Sequence, residues 1–511
     1  MQNESFAAAL FLRLWFIFFC FCGFLFKKKG GILKYIVWAI MAIGMIAEVV
    51  LVTHLMTKDM LPTKFDVVLI VALVLFNIGM FFSVKNKVVA IIMSILSVII
   101  TVVCIVGSIV ISKIDKTIDS VSNKDTYETV QMVLVVRAKD KAKTVEDVAG
   151  YKIGITTNEE ATDKFVKKID DKLAKSDKEA ARYKEYESFV AATSALTSKR
   201  VDAMCINSQY IEVVKEIEGY ENFDQEVRII YTEEIKVEKK SELETVKKRK
   251  AIDEEGKFIV YLSGIDSYGS IKVKSRSDVN ILAVVNTKSG DIQLINTPRD
   301  YYVSFPTKGN AKDKLTHAGM YGVETSLATL EELYDTGINY YFRINFSGFE
   351  KIIDELGGID VYSEKGFTTS SGYTFNKGNN HLNGKRALVF ARARKNFGQG
   401  DVQRGKNQMA VIKAVINKMT STEFLKKYDK VLDKVDGCFQ TDIPSKVLYG
   451  LVKEQLATNP SWNIESMSVA GRGTKSTTYS IPGLKSYVMI PNAEDVNKAK
   501  DLIESTLEKD K

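Results

Sequence analysis

Phe258-Ile-Val-Tyr-Leu-Ser263 runs directly into Gly264-Ile-Asp266-Ser-Tyr-Gly269, and this stretch decides the fold of everything that follows it. Six residues rich in β-branched and aromatic side chains, stopped by glycine, predict a strand. A strand that ends in a polar loop holding a carboxylate predicts an α/β domain, because such folds place ligands beyond the carboxyl ends of their strands. Working outward, Asp278–Asn286 and Ile292–Thr297 read as two further strands, joined through the hairpin signal Lys288-Ser-Gly-Asp291. Val323–Asp335 has helical periodicity with Gly337 as its stop, and Ile338–Ile344 reads as a strand. Ser347-Gly-Phe-Glu350 reads as a capping box opening a helix that ends at Gly357-Gly358. The expectation for 258–511 is a mixed α/β domain, a central sheet flanked by helices, large enough for a sizeable core.

Upstream, Thr232–Lys257 is dense in Glu and Lys without an apolar period, so it reads as an exposed linker or a solvated helix, with 239–257 as the linker proper. Before it, 113–238 alternates strand-like runs (Val130–Val136, Tyr151–Ile155, Val201–Ile206) with helix-compatible ones from Glu159 and over Val190–Lys199. That pattern predicts a small α/β accessory domain. Thr144-Val-Glu-Asp-Val-Ala-Gly150-Tyr-Lys-Ile-Gly154 with Arg200-Val-Asp-Ala203 resembles one lobe of an extracellular solute-binding protein, without a second lobe to close on a ligand. Ligand binding, a spacer role and a partner-docking role all stay open for this domain.

Residues 1–112 hold 9 Lys/Arg and 4 Asp/Glu, leaving 62 basic and 59 acidic side chains for the other 399 residues. A membrane segment is thus joined to a nearly neutral soluble part, which excludes a globally basic nucleic-acid-binding surface. Four apolar stretches, about 6–26, 32–56, 65–84 and 88–111, are each long enough to cross about 30 Å of hydrocarbon as a helix. The first contains Arg13 and begins near the start Met, as a signal peptide would, but no small-residue cleavage site follows, so it counts as a span. Lys27, Lys28, Lys29 and Lys34, then Lys85 and Lys87, flank the spans on one side, which the positive-inside rule places in the cytoplasm. Everything after Ile111 is then outside. Glu48 and His54 lie within the second stretch; His54 sits near its outer end and Glu48 is expected to face a neighbouring helix. The five cysteines form neither a disulfide framework nor a metal-ligand spacing.

The chemistry concentrates downstream of Ser263. On a helix from Asp401 to Met419, 100° per residue puts Ile412, Val415, Ile416 and Met419 on one apolar stripe, and Asp401, Arg404 and Gln408 on the same stripe. Polar groups in line with a core face must be paired, either with each other, as an Asp401–Arg404 salt bridge, or with a ligand near the helix N-terminus, which favours anions. Arg276, Arg299, Arg392 and Arg394 join Arg404. The alternation of Arg392 and Arg394 would put both on one side of an extended segment. Five arginines exceed what one protein carboxylate requires, whereas a pyrophosphate offers several oxygens suited to planar bidentate donors; the alternative is surface arginines the fold never assembles. Asp266 and Asp278 are hard oxygen ligands of the kind Mg²⁺ takes, and equally ordinary turn residues. Outside the membrane stretches only His317 and His381 remain, with no Gly-x-Ser-x-Gly elbow, zinc motif or Walker A loop, which argues against a His-dependent triad or zinc hydrolysis.

Gly264-Ile-Asp266-Ser-Tyr-Gly269, Arg276-Ser-Asp278-Val-Asn280, Thr297-Pro-Arg299-Asp300, Lys312-Asp-Lys314-Leu-Thr-His317-Ala-Gly319, Leu356-Gly-Gly-Ile359, Ala391-Arg-Ala-Arg394 and Asp401-Val-Gln-Arg404-Gly-Lys-Asn-Gln408 together resemble the LytR-CpsA-Psr (LCP) family in order and spacing. Membrane helices, an accessory domain and then this domain resemble its CpsA-type, capsule-biosynthesis branch in Gram-positive bacteria. The resemblance implies a multi-pass cell-membrane transferase with its soluble domains on the extracellular face. It would move a capsular or other cell-wall glycopolymer from a polyprenyl pyrophosphate carrier to peptidoglycan, using Mg²⁺, with Mn²⁺ as a substitute, and with pyrophosphatase side activity when water replaces the acceptor. Carried over residue by residue, Asp266 and Asp278 would hold the metal. Arg276, Arg299, Lys314, Arg392, Arg394, Arg404 and Gln408 would bind the pyrophosphate, with Asp278, Arg299, Arg392 and Arg394 as the catalytic set and Asp401 supporting Arg404 or the metal. Asn407 stands where many members carry Arg. No general base is assigned; Asp278 and Asp300 are the carboxylates at hand. Implied partners are the lipid-linked polymer, peptidoglycan, the membrane and other capsule-assembly proteins. The rival readings are a membrane-bound regulator of capsule expression, for which the short cytoplasmic loops supply no nucleic-acid-binding surface, and a lipid-binding scaffold without catalysis.

Overall fold

The structure, a computed structural model of the chain, describes residues 32–57, 63–121, 127–157, 159–238, 256–268, 270–394, 400–421, 437–458 and 460–509, and singly 424, 431, 434 and 435. The chain divides into two compact units. The first holds helices α1 (Ile32–Thr57), α2 (Thr63–Ser83) and α3 (Lys87–Val121), together with the helix Ser445–Thr458. Three of these helices are long and apolar enough to cross a membrane, and they coincide with the second to fourth apolar stretches. The stretch at 6–26 lies outside the described residues. Glu48 faces a neighbouring helix as expected, where Asn77 Nδ2 donates to its Oε2 at 2.8 Å.

The second unit begins with the accessory domain, a five-stranded sheet in the order β3-β2-β4-β1-β5, made of β1 (Tyr127–Arg137), β2 (Lys152–Thr156), β3 (Arg182–Tyr186), β4 (Ala203–Asn207) and β5 (Val227–Glu238). Strand alternation splits its core: Met132, Leu134 and Val136 pack with helix α4 (Glu160–Lys175), while Val133 and Val135 pack with α5 (Phe189–Thr197) and α6 (Ser208–Val214). One expectation is corrected here. Thr232–Glu238 is the second half of β5, paired along its whole length with β1, and not linker or helix. It is an edge strand, so Glu234, Lys236 and Glu238 face water while Ile235 and Val237 turn inward, and Glu233, on their side, is held by Lys168 and by the Tyr231 hydroxyl at 2.6 Å. Residues 239–255 lie outside the described residues, and Lys257 already opens the next strand.

The C-terminal domain is built on a six-stranded sheet of β6 (Lys257–Ile265), β7 (Ser277–Asn286), β8 (Asp291–Asn296), β9 (Tyr340–Asn345), β10 (Phe439–Thr441) and β11 (Asn463–Ser468), ordered β10-β9-β6-β7-β8-β11. β6, β7 and β8 run antiparallel, and β9 and β11 pair in parallel with β6 and β8. β8 is buried at every residue, so both sheet faces are covered. On one face Tyr261, Leu282, Val284 and Ile295 pack with α7 (Leu315–Tyr321), α8 (Val323–Tyr334) and, late in the chain, α12 (Ala493–Glu508). Between α8 and α12 come α9 (Phe346–Glu355), α10 (Gly384–Arg392) and α11 (Gly400–Met419).

Three local expectations are corrected. α8 is closed by Asp335, which takes the left-handed conformation at φ 52°, two residues before Gly337. α9 is capped by Asn345, whose Oδ1 accepts from Gly348 N at 2.8 Å, rather than by Ser347; a strand-end asparagine offers the same acceptor two residues earlier. On α11 the buried face runs through Asn407, Gln408, Val411 and Ala414, and Met419 is exposed. The predicted stripe through Ile412, Val415 and Ile416 is rotated toward the rim.

Candidate active site

The topology carries the quoted motifs to one edge of the central sheet. Antiparallel pairing sets the C-terminal ends of β6 and β8 beside the N-terminal start of β7. Asp266 follows β6, Arg276 precedes β7 and Asp278 is the second residue of β7, while Arg299 follows β8. A register shift at Gly264/Ile265 and the bond from Asp266 N to Arg276 O, 3.1 Å, fix the β6–β7 end. This is the loop position that the opening stretch predicts.

Two glycines let further elements reach that edge. A Cβ on Gly319 of α7 would lie 2.6 Å from Ser275 O and 2.8 Å from Ser277 N. A Cβ on Gly405 of α11 would lie 2.4 Å from Asn296 Nδ2 at the end of β8. At Gly319 the helix meets backbone, which only glycine allows at that distance, whereas at Gly405 it meets the Asn296 side chain; the two contacts bring His317 and Arg404 to the site.

At its centre, Arg299 Nη1 donates to Asp278 Oδ1 and Oδ2 at 2.9 and 2.8 Å, and Thr316 Oγ1 donates to Oδ1 at 3.1 Å. Burial would raise the Asp278 carboxyl, but Arg299, Arg276 and Arg404 outweigh it and hold it below the usual carboxylate range. Three of the five expected arginines therefore converge on one carboxylate. Arg276 Nη2 donates to Asp266 Oδ2, and Nη1 to Glu216 Oε1 at 3.2 Å. The Nε–H groups of Arg276 and Arg299 are buried without a hydrogen-bond acceptor among the described residues. Such donors are costly unless something else supplies an oxygen. Asp266 and Asp278 flank Arg276 as two hard carboxylates, and no described donor bonds to Asp266 Oδ1; that donor set suits a hard divalent cation completed by phosphate oxygens and water.

The remaining expected residues fall into different places. Arg392 is the last residue of α10, not part of an extended segment, and its guanidinium lies 4.3 Å from the Phe346 ring centroid. Phe346 packs edge-on against Tyr268 in the Asp266 loop. Arg394 follows Ala393, the only extended residue between them, and both arginines are exposed. Gln408 is buried on α11; Asn407 is occupied by Phe390 O and the Gln403 amide. The side chain of Asp401 and residue Gly269 lie outside what the structure describes. Lys314, 2% exposed, directs its ammonium to Glu216 and stands 3.9 Å from Asp300.

Sequence reasoning missed a buried array beside this centre. His317 Nδ1 is 2.7 Å from Asp313 Oδ1, and its Nε2 is 3.5 Å from Glu216 Oε2. Asp313 Oδ2 accepts from Ser480 N and Oγ at 2.8 and 2.5 Å. Burial pulls the His317 imidazole down, but Asp313 and Glu216 push it up to about 9. Burial alone would raise Glu216, yet His317 and Lys314 hold it well below the usual carboxylate range. The four-residue spacing of Asp313 and His317 was the available signal; nothing local marks Glu216.

Residues 224–498 match the LytR_cpsA_psr family. The chain is 35% identical over 218 residues to the polyisoprenyl-teichoic acid--peptidoglycan teichoic acid transferase TagU of Bacillus mycoides, covering 42% of this chain and 70% of that protein. It is 33% identical over 230 residues to the protein of that name from Oceanobacillus iheyensis, covering 44% and 68%. Among solved structures it is similar to B. subtilis TagV, with 27% identity and a TM-score of 0.43 over 50% of this chain and 98% of that one. With more than half of its length matched and the motif residues assembled at one sheet edge, the chain belongs to the LytR_cpsA_psr family.

Proposed function

We propose that this protein is a membrane-anchored phosphotransferase that moves a capsular or other cell-wall glycopolymer from a polyprenyl pyrophosphate carrier to peptidoglycan. The observation that carries the reading is the convergence of Arg276, Arg299 and Arg404 on Asp278, with two buried arginine Nε–H groups that have no hydrogen-bond acceptor among the described residues. The transferase relatives support the same reaction class. An acceptor hydroxyl attacks the phosphorus next to the glycan, its proton leaves, and the P–O bond to the polyprenyl phosphate breaks. The products are a phosphodiester-linked glycan and polyprenyl monophosphate. Phosphoryl transfer needs positioning and charge neutralisation more than covalent help, and the arginines provide both. Arg392 and Arg394 at the rim are suited to the outer phosphate oxygens, and Gln408 to orienting one of them. Asp266 and Asp278 would hold Mg²⁺ or Mn²⁺, which supplies charge neutralisation on the pyrophosphate when bound. The lysines flanking the spans support an outer-face location for the soluble domains, and water in place of the acceptor makes the site a pyrophosphatase.

The test is turnover of a polyprenyl pyrophosphate by the purified full chain in detergent, with and without Mg²⁺, beside Arg299→Ala. Metal-dependent release of polyprenyl monophosphate that Arg299→Ala lowers by at least about 100-fold is expected. Equal turnover by wild type and Arg299→Ala overturns the reading.

A further inference from the structure

Glu216 comes from the accessory domain, eight residues before the family match begins at residue 224, yet it lies inside the transferase site. Its side chain is only 15% exposed and contacts three cationic groups of the C-terminal domain. Oε1 accepts from Arg276 Nη1 at 3.2 Å, and Oε2 meets the Lys314 ammonium and lies 3.5 Å from His317 Nε2. Without Glu216, Lys314 would retain, among the described carboxylates, only Asp300 at 3.9 Å.

The carboxylate is not on a loose loop. Val214 and Ile217 on either side are fully or nearly fully buried, and they belong to a core shared with Met320 of α7 and Ile481 of the C-terminal domain. Gln209 Oε1 accepts from Ser275 Oγ at 2.8 Å, and Lys274 N donates to Thr129 O at 3.1 Å, so the strip leading to Arg276 is bound to the accessory domain on both sides. Withdrawing Glu216 would open that joint core, which makes it a fixed part of the site and not a displaceable plug.

We propose that Glu216 is a positioning residue of the transferase site: it orients the Arg276 guanidinium, with Lys314 and His317 as its counter-charges, so the accessory domain completes the site. This rests on the pyrophosphate reading above. Arg276 has its two terminal nitrogens held by Asp266 and Glu216, which fixes its plane and leaves its buried Nε–H without an acceptor among the described residues, free for an oxygen of the ligand. A guanidinium held from two sides is preorganised, which is the condition for strong bidentate recognition.

Glu216→Gln alone would strand a buried Lys314 charge and could unfold the chain, so the comparison is Lys314→Met against Lys314→Met/Glu216→Gln, both as full chain in detergent. Farnesyl pyrophosphate is the probe, read by calorimetric titration and by the ³¹P resonance of the bound ligand. The double variant is expected to unfold within a few degrees of Lys314→Met, to bind at least tenfold more weakly, and to show a shifted ³¹P resonance. Equal affinity with an unmoved resonance assigns Glu216 a purely structural role and overturns the inference. Tighter binding makes it a competing anion and also overturns it. Arg276→Ala separates the two levels: if it binds farnesyl pyrophosphate as wild type does, the pyrophosphate reading itself fails and this inference with it.

Discussion

Arg299 reaches both oxygens of Asp278 through a single nitrogen, Nη1, at 2.9 and 2.8 Å, which leaves its Nε buried and without a hydrogen-bond acceptor among the described residues. A guanidinium bound only for the carboxylate would present two nitrogens in a fork. This one is committed at one corner, while Nε lies 3.7 Å from Asp300 Oδ2, too far for a hydrogen bond, which suits a residue shared between protein carboxylates and an external anion.

Asp278→Asn is therefore expected to act twice. It removes the charge that holds Arg299, lowering thermal stability by about 3 kcal/mol for a broken, largely buried pair. It also removes a proposed metal ligand, lowering transfer by at least about 100-fold. Thermal unfolding and turnover of the same preparation separate the effects, because Thr316→Ala, which removes only the 3.1 Å bond to Oδ1, should cost about 1 kcal/mol.

The His317 array predicts a stability that declines in mild alkali. Its imidazole faces Asp313 from the strand before α7, Glu216 from the accessory domain and the nearby Lys314 ammonium. The group is held up at about 9 against an ordinary 6.5, so its stabilisation is complete below pH 6.5 and is lost as pH rises through about 9. The thermal midpoint of wild type should fall across that window, and His317→Gln should flatten the dependence. A wild-type midpoint constant from pH 6.5 to 9.5 contradicts a protonated His317.

Gly319→Ala is expected to be severe for a single methyl group. The new Cβ would press on Ser275 O and Ser277 N from 2.6 and 2.8 Å, both backbone atoms flanking Arg276. The cost should be about 3 kcal/mol, with pyrophosphate binding weakened beyond what the stability loss explains. Circular dichroism melts and farnesyl pyrophosphate titration check the two parts.

Asn345→Ala tests the cap of α9. Losing the 2.8 Å bond to Gly348 N should cost about 1 kcal/mol, whereas Ser347→Ala, at the position the sequence suggested, should cost less. Chemical denaturation of both variants ranks them directly.

Sequence alone determined what depends on neighbours along the chain. Strands at 258–263, 278–286 and 292–297 followed from β-branched runs and a turn signal, the three described apolar helices from length and apolarity, and the sheet edge that gathers the motifs from a strand running into Gly264-Ile-Asp266. The convergence of Arg276, Arg299 and Arg404 could be suspected, because their motifs sit at strand ends and a helix start. Tertiary structure alone decided the rest. β5 reads as linker because an edge strand in water keeps its Glu and Lys, and its identity lies in its pairing with β1. The buried face of α11 is set by what packs on it, including the close approach at Gly405, and so it rotated away from the apolar count. Glu216 meets Lys314 across 98 residues of chain and a domain boundary. No local pattern can announce such a contact, since the low dielectric that makes its charge matter exists only once the two domains have closed around it.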